Sequence, residues 1–203
     1  MGDADAFARD GEAMLKSFAT GGDPSVVRGR EVAGSQLFAE WQDKSAALVG
    51  AGKAADRTQR VPWYGPSMSV ASFLTARLME TWAHGVDISD ALCKPVVSSA
   101  RLKHIAHIGV LARANSYRSR GLQVPEANIA VELTAPTGDT WAWGNPAANE
   151  KVTGNALEFC LLVTQRRHVN DTALVATDEL GREWLSIAQA FAGPAGAGRE
   201  PLG

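Results

Sequence analysis

Residues 77–92 read RLMETWAHGVDISDAL and place a glutamate and a histidine, Glu80 and His84, four positions apart. Apolar residues such as Leu78 and Trp82 recur on the opposite side of the predicted helix. This spacing is typical of an amphipathic helix. Side chains four positions apart stand one turn apart on the same helix face. The pair therefore has two interpretations. It is either a preset pair of ligands for zinc or another divalent ion, or the water-facing side of an ordinary helix.

The composition of the chain is that of a globular protein. Its 203 residues are 45% hydrophobic and 21% charged, with a net charge of −2. This length suits one large domain or two small ones. The small net charge gives no reason to expect nucleic acid or an anionic membrane as a partner. No apolar run reaches the roughly 20 residues of a membrane span, and the start lacks the regions of a signal peptide. We therefore expect a cytoplasmic protein.

The first half of the chain is predicted to be helical. Helical spacing of apolar residues covers 3–19 and 31–51. A loop rich in turn residues follows, and Ser67 or Ser69 is a suitable N-cap for the helix that contains Glu80 and His84. A further helix is expected to end at Gly121.

The second half changes to short strands. NIAVELTA alternates apolar and polar residues, PTGD is a turn, and TWAWGN is a second strand, which together predict a hairpin. EKVTG predicts a third strand, NALEFCLLVTQRRH a buried helix, TALVAT a last strand and DELGREWLSIAQAFAG a last helix. We predict an α+β protein. It has an incomplete helical bundle over 1–95, a small α+β domain with a short antiparallel sheet over 96–195, and a disordered tail over 196–203.

Several stretches, taken in order, resemble one protein family. ETWAHGVD, preceded by ARLM and followed by ISDAL, resembles the metal-binding helix of the mycothiol-dependent maleylpyruvate isomerase family, a branch of the DinB/YfiT-like four-helix-bundle proteins. VPWYGPSMS, RLKHIAHIGV, VELTAPTGDTWAWG, VTGNALEFCLLVTQRRH and IAQAFAGP are similar to an actinobacterial subgroup of this family. The resemblance implies a DinB-like bundle joined to a sterol-carrier-like C-terminal domain.

The resemblance implies that Glu80 and His84 are two of three protein ligands to a divalent metal, usually zinc. The third ligand would be a His on an earlier bundle helix, in a stretch of the form W-T-x-x-D-x-x-x-H-L. This chain has no such stretch and no His before residue 84. We therefore expect the first bundle helix and its His to be missing. Either the start is truncated or reassigned, or this member has lost the metal site.

Two further histidines have a workable ligand spacing. His104 and His107 are three positions apart. They lie among Ile105, Ile108 and Leu111, where histidines are usually packed into the core. The pattern favours packing over metal binding.

The basic end of the buried helix is the second candidate site. The helix dipole alone accounts for cations at this position. The resemblance adds that Arg166 or Arg167 faces a cleft and binds the carboxylate of a substrate, since an arginine fork binds a carboxylate with two hydrogen bonds. Asp87 either orients His84 as a partner behind the metal ligand or caps the helix end.

The implied activity is that of a metal-dependent and thiol-dependent isomerase or S-transferase. A metal would lower the pKa of a bound low-molecular-weight thiol, which the resemblance implies to be mycothiol, and deliver a thiolate to a small carboxylate-bearing substrate. The alternative is a metal-free small-molecule-binding protein, or a tailoring enzyme of specialised metabolism that has lost the metal. A bundle without one helix would expose an apolar face, so we also expect a homodimer.

Overall fold

The computed structural model describes residues 7, 9–11, 24–63 and 67–202. The helix predicted over 3–19 lies almost entirely outside these residues. The chain divides into two packing units, Met1–Leu74 and Thr75–Gly203. The predicted α+β class is confirmed, and the predicted domain boundaries stay predictions.

The N-terminal unit is built from helices and one small hairpin. Helix α1 (Pro24–Glu31) is followed by helix α2 (Gly34–Ala54), which matches the helix predicted over 31–51. Strands β1 (Arg60–Val61) and β2 (Met68–Ser69) pair antiparallel. Helix α3 (Val70–Ala91) starts directly after β2, and from Thr75 onward it belongs to the second unit.

Ser69 caps the helix that contains the opening motif. Its hydroxyl accepts a hydrogen bond from the backbone N–H of Ser72 at 3.1 Å. The first N–H groups of a helix have no partner within the helix, and a serine hydroxyl at the N-cap satisfies one of them. Of the two predicted caps, Ser69 is therefore the one that the structure shows.

The C-terminal unit has helices packed on a small sheet. Its further elements are α4 (Leu102–Leu111), α5 (Arg113–Arg118), β3 (Ile129–Thr134), β4 (Thr140–Trp143), β5 (Glu150–Asn155), α6 (Ala156–Val163), β6 (Val175–Ala176) and α7 (Glu179–Ile187).

The helix predicted up to Gly121 is divided into α4 and α5. The backbone of Ala112 between them has φ −77° and ψ −2°, so its ψ departs from the helical value. Helix α5 itself ends at Arg118, and the turn that follows it closes at the predicted Gly121, which has φ +68°. The N–H of Leu122 donates to the carbonyl of Tyr117 at 3.0 Å, which is the bond that closes a helix through a left-handed glycine.

The sheet has four strands in the order β4-β3-β5-β6. The predicted hairpin is present, with Leu133 opposite Trp141. The two central strands β3 and β5 run parallel, with Val131 opposite Val152. The alternation of residues that predicts a strand does not fix its direction, so the parallel pair could not be foreseen from it.

One hydrophobic core joins the sheet to helices α4, α6 and α7. Helix α6 is buried for most of its length, as predicted. Its Phe159 packs edge-on against Trp184 of α7, with ring centroids 5.9 Å apart. Helix α4 comes so close to α6 at Gly109 that a Cβ there would lie 2.8 Å from Val163 Cγ2. This packing fixes the end of α6, and Arg166 and Arg167 follow directly after it.

None of the helices within the described residues is long and apolar enough to cross a membrane.

Candidate functional site

The polar face of α3 carries the predicted metal pair. His84 Nε2 lies 3.9 Å from Glu80 Oε2, and His84 Nδ1 lies 3.3 Å from Asp87 Oδ2. The His84 side chain is 69% exposed. The helix therefore brings Glu80, His84 and Asp87 together on one face that is open to solvent. Asp87 is thus a direct neighbour of His84, and its predicted role in orienting the imidazole stays a prediction.

The two candidate arginines are positioned by the turn that ends α6. Gln165 has a left-handed backbone with φ 59°, which is uncommon for a residue with a side chain. The N–H groups of Gln165 and Arg166 donate to the carbonyls of Leu162 and Leu161 at 2.8 and 2.7 Å. This closure has the hydrogen bonds of a glycine-type helix end. The chain leaves the helix sharply, and Arg166 and Arg167 follow at once.

Each arginine holds one aspartate of α3. Arg166 donates through Nε and Nη2 to Asp87 at 3.2 and 2.8 Å. Arg167 donates through Nη1 and Nη2 to Asp90 at 2.8 and 2.7 Å. Both contacts are two-point arginine–carboxylate pairs, the stronger kind of ion pair. Two arginine–aspartate ion pairs thus connect the end of α6 to the end of α3.

A third arginine comes from the end of the described chain. Arg199 donates to Asp87 Oδ1 at 2.9 Å and to Asp90 Oδ2 at 3.1 Å, so it bridges the two aspartates. It belongs to the segment that the sequence predicts to be a disordered tail. The structure gives this segment definite contacts, because Leu202 N–H also donates to the Asp171 carboxylate at 3.0 Å.

We call Asp87, Asp90, Arg166, Arg167 and Arg199 the charge cluster. Sequence reasoning overlooked Asp90 and Arg199. Asp87 and Asp90 are three positions apart on a helix, and this spacing next to a predicted arginine pair is a signal that could have found Asp90. Arg199 stands in a Gly/Pro-rich stretch without periodicity, and nothing local marks it.

The charge cluster changes the pKa values of its own members. Burial tends to raise the pKa of Asp87, but hydrogen bonding and charge from Arg166, with smaller contributions from His84 and Arg199, bring this pKa below its ordinary value. The hydrogen bond from Arg167 lowers the pKa of Asp90 against the opposing effect of burial. The same bond raises the pKa of Arg167. All three groups are therefore held in their charged forms.

The described residues do not complete a metal site. A structural or catalytic zinc site needs at least three protein ligands. Glu80 and His84 supply two, and no group of three suitable side chains occurs in the described part of the chain. Asp87 is the next carboxylate on the same helix face, and it already forms ion pairs with Arg166 and Arg199. The residues present therefore fall one ligand short of the group that the resemblance implies.

The other histidines have different surroundings from those expected. His104 and His107 are exposed rather than packed in the core, because α4 turns their side away from the buried Ile105. The indole N–H of Trp143 donates to His107 Nδ1 at 3.1 Å. The expectation of core histidines was wrong, since the apolar neighbours of a helical residue in sequence lie on other faces of the helix.

The two cysteines also differ in their surroundings. Cys160 is buried in α6, and burial raises the pKa of its thiol. Its thiol is therefore unreactive. Cys93 is exposed.

Comparison with protein families agrees with the resemblance. Residues 2–89, which include Glu80 and His84, match the family model described as mycothiol maleylpyruvate isomerase N-terminal domain. Residues 129–177 match a second model, described as wyosine base formation. Residues 2–89 of this chain are therefore similar to the mycothiol maleylpyruvate isomerase N-terminal domain, in line with the resemblance given above. The sterol-carrier-like character of the C-terminal domain stays a prediction.

Two curated relatives are similar over most of the chain. Both are uncharacterised proteins of Mycobacterium tuberculosis, one from strain CDC 1551 / Oshkosh and one from strain ATCC 25618 / H37Rv. Each is 45% identical over 168 residues, which cover 83% of this chain and 65% of the relative. The chain thus spans just under two thirds of the length of these relatives. No solved structure matches significantly.

Proposed function

We propose that this protein is a thiol-dependent isomerase or S-transferase that acts on a small carboxylate-bearing substrate, with a divalent metal, zinc by preference, held in part by Glu80 and His84. The observation that carries the proposal is the position of this pair. It lies on an exposed helix face inside the stretch that matches the mycothiol maleylpyruvate isomerase N-terminal domain. Mycothiol is the low-molecular-weight thiol that the family match favours.

The reaction needs a nucleophilic thiol and a fixed substrate. In an isomerisation the thiol sulfur forms a bond to one carbon of an activated double bond, the resulting single bond rotates, and the carbon–sulfur bond breaks to release the thiol again. In a transfer the sulfur instead displaces a leaving group. When bound, the metal would supply the low pKa that makes a thiolate available near neutral pH.

The residues of the chain supply orientation and charge. Asp87, whose Oδ2 lies 3.3 Å from His84 Nδ1, orients the imidazole. Arg166 and Arg167 are the groups assigned to the substrate carboxylate. Their forks hold Asp87 and Asp90 in this structure. A substrate carboxylate would therefore replace one of these aspartates at the arginine.

A second candidate function is a metal-free small-molecule-binding protein or tailoring enzyme. The specific observation in its favour is that the Asp87 carboxylate already pairs with Arg166 and Arg199. Among the described residues, Glu80 and His84 are then left without a third metal ligand. In this case the charge cluster, rather than a metal, would set the chemistry of the face.

The deciding experiment is metal analysis of the protein purified without chelator. We expect close to one divalent ion per chain by mass spectrometry, and its loss in the variant Glu80→Ala/His84→Ala. The matched control is His104→Ala, which removes an exposed histidine from another helix. Calorimetric titration of the metal-loaded protein with a low-molecular-weight thiol then tests the thiol step.

Absence of metal from the unmodified protein would reject the first candidate and favour the second. Stoichiometric metal without any thiol binding would reject the thiol step alone.

A further inference from the structure

A small cavity lies beside the charge cluster, under the C-terminal segment. Its volume is about 60 Å³. One water molecule needs roughly 10–15 Å³ of such space. The cavity therefore has room for several waters or for one small oxyanion. The end of α6, α7 and residues 197–199 form its walls, and its polar lining includes Arg120, Gln165, Arg167, His168, Ser186 and Arg199.

Three of the lining side chains are guanidinium groups, and their charges are not equally balanced. Arg167 and Arg199 are paired with aspartates of α3. Arg120 contacts only neutral oxygens, namely the carbonyls of Ser116 and Gly196 at 3.1 and 2.8 Å and, more weakly, the Ser119 hydroxyl at 3.5 Å. Within the described part of the chain it makes no ion pair. Arg120 therefore brings a positive charge to the cavity that no carboxylate balances directly.

The hydrogen bonds of Arg120 leave part of its capacity unused. A guanidinium has five N–H hydrogens. The contacts with described residues use three of them, all on Nη1 and Nη2. Nε and one Nη2 hydrogen thus have no acceptor among those residues. A half-buried cation with unused donors is a favourable partner for an anion.

His168 adds a second donor to the same lining. Its Nδ1 accepts a hydrogen bond from the backbone N–H of Asn170 at 3.1 Å. Nε2 is therefore the ring nitrogen that remains to donate to a ligand.

The geometry points to an anion site in this cavity, and we propose that it binds the oxyanion of a carboxylate- or phosphate-bearing small molecule. Arg120 is its main charged group, and His168 and Arg199, which also line the cavity, complete it. The site goes beyond the proposed function, because it needs neither the metal pair nor a thiol, and its principal residue lies outside the charge cluster. The C-terminal segment forms its roof, held by the bond from Arg120 to Gly196.

Binding of inorganic anions tests the proposal directly. Chelator-treated, thiol-free protein is titrated by calorimetry with inorganic phosphate and, separately, with acetate, while sodium chloride holds the ionic strength constant. We expect saturable binding of at least one of the two. Stronger binding of phosphate would assign a phosphate-bearing ligand, and stronger binding of acetate a carboxylate-bearing one.

Arg120→Gln is the decisive variant, and Arg118→Gln is its matched control. Arg118 lies on the same short segment but is exposed and does not line the cavity. Loss of a charge-assisted contact should weaken anion binding about tenfold or more in Arg120→Gln. Arg118→Gln should bind as the unmodified protein does.

A second variant keeps the test valid if Arg120→Gln does not fold. His168→Asn retains a side-chain oxygen to accept the Asn170 N–H but loses the imidazole donor, and it should weaken binding by a smaller factor. No saturable binding of either anion to the unmodified protein would overturn the proposal. Equal binding by Arg120→Gln and Arg118→Gln, or unchanged binding by His168→Asn, would also overturn it. Because metal and thiol are excluded from the assay, the outcome is independent of the metal analysis.

Discussion

Asp87 has the largest number of partners in the candidate site. Its carboxylate contacts His84 and accepts hydrogen bonds from Arg166 and Arg199. A histidine beside an unpaired aspartate would be strongly attracted to it. Here two guanidinium groups already compensate much of the carboxylate charge. The electrostatic character of the predicted metal face is therefore determined by arginines that lie about 80 and 112 residues further along the chain.

The charge cluster predicts how stability depends on pH. The pKa values of Asp87 and Asp90 are lower in the folded chain than the ordinary value of 3.8. A carboxyl of this kind stabilises the fold at pH values above its unfolded pKa, and the contribution is lost as the pH falls through the folded pKa. The stability of the unmodified protein should therefore decrease below about pH 4.

The variant Asp87→Asn/Asp90→Asn isolates this contribution. At pH 7 we expect this double substitution to lower the free energy of unfolding by about 1–2 kcal/mol. Each ion pair has two hydrogen bonds, but the pairs are partly exposed to solvent. Near pH 3 the difference from the unmodified protein should shrink. Urea unfolding at several pH values measures both, with Glu126→Gln, an exposed glutamate outside the cluster, as control. A difference that stays constant with pH would contradict the assignment.

At the scale of elements, the crossing of α4 and α6 depends on the missing side chain of Gly109. A Cβ there would lie 2.8 Å from Val163 and 3.1 Å from Phe159, both in the core. Helix α3 offers the opposite case, because a Cβ at Gly85 would meet nothing within 4 Å. The two glycines have the same intrinsic cost in a helix but different surroundings.

Gly109→Ala and Gly85→Ala should therefore have effects of opposite sign. We expect Gly109→Ala to lower the free energy of unfolding by about 1–3 kcal/mol, because the well-packed core must shift. Gly85→Ala should raise it by up to about 1 kcal/mol through helix propensity. Thermal and urea unfolding of both variants measure the effects. Equal stability of the two variants would show that the helices do not cross as closely as described.

The elements of the second half were largely predictable from the sequence. Period-two alternation located β3 and β4, and the nearly all-apolar run located α6. The parallel pairing of β3 with β5 was not predictable, because partner choice depends on contacts between strands. The same limit applies to the site. Glu80 and His84 are neighbours through helix geometry alone, whereas the contacts of Arg199 are created by packing over more than a hundred residues.

At the scale of the whole molecule, the exposed surface of α2 bears on whether the protein binds a partner. The helix has 21 residues and none of them is buried. Phe38 and Trp41 stack with ring centroids 5.8 Å apart and are 58% and 53% exposed. Most helices in proteins owe their stability to a packed apolar face. We therefore propose that a second copy of the chain covers this face, in agreement with the homodimer expected from the sequence.

Light scattering at micromolar concentration tests the dimer. The unmodified protein should have twice the mass of one chain, and Phe38→Ser/Trp41→Ser should shift it toward the mass of one chain. The control Leu92→Ser changes an exposed leucine at another place. A single-chain mass for the unmodified protein would reject the proposal.

The bridge made by Arg199 also couples the charge cluster to the cavity. Its guanidinium joins Asp87 to Asp90, and the segment that carries it forms one wall of the cavity. A proteolytic cut that released this segment would therefore remove the third cation from the two aspartates and open the cavity to water in a single event.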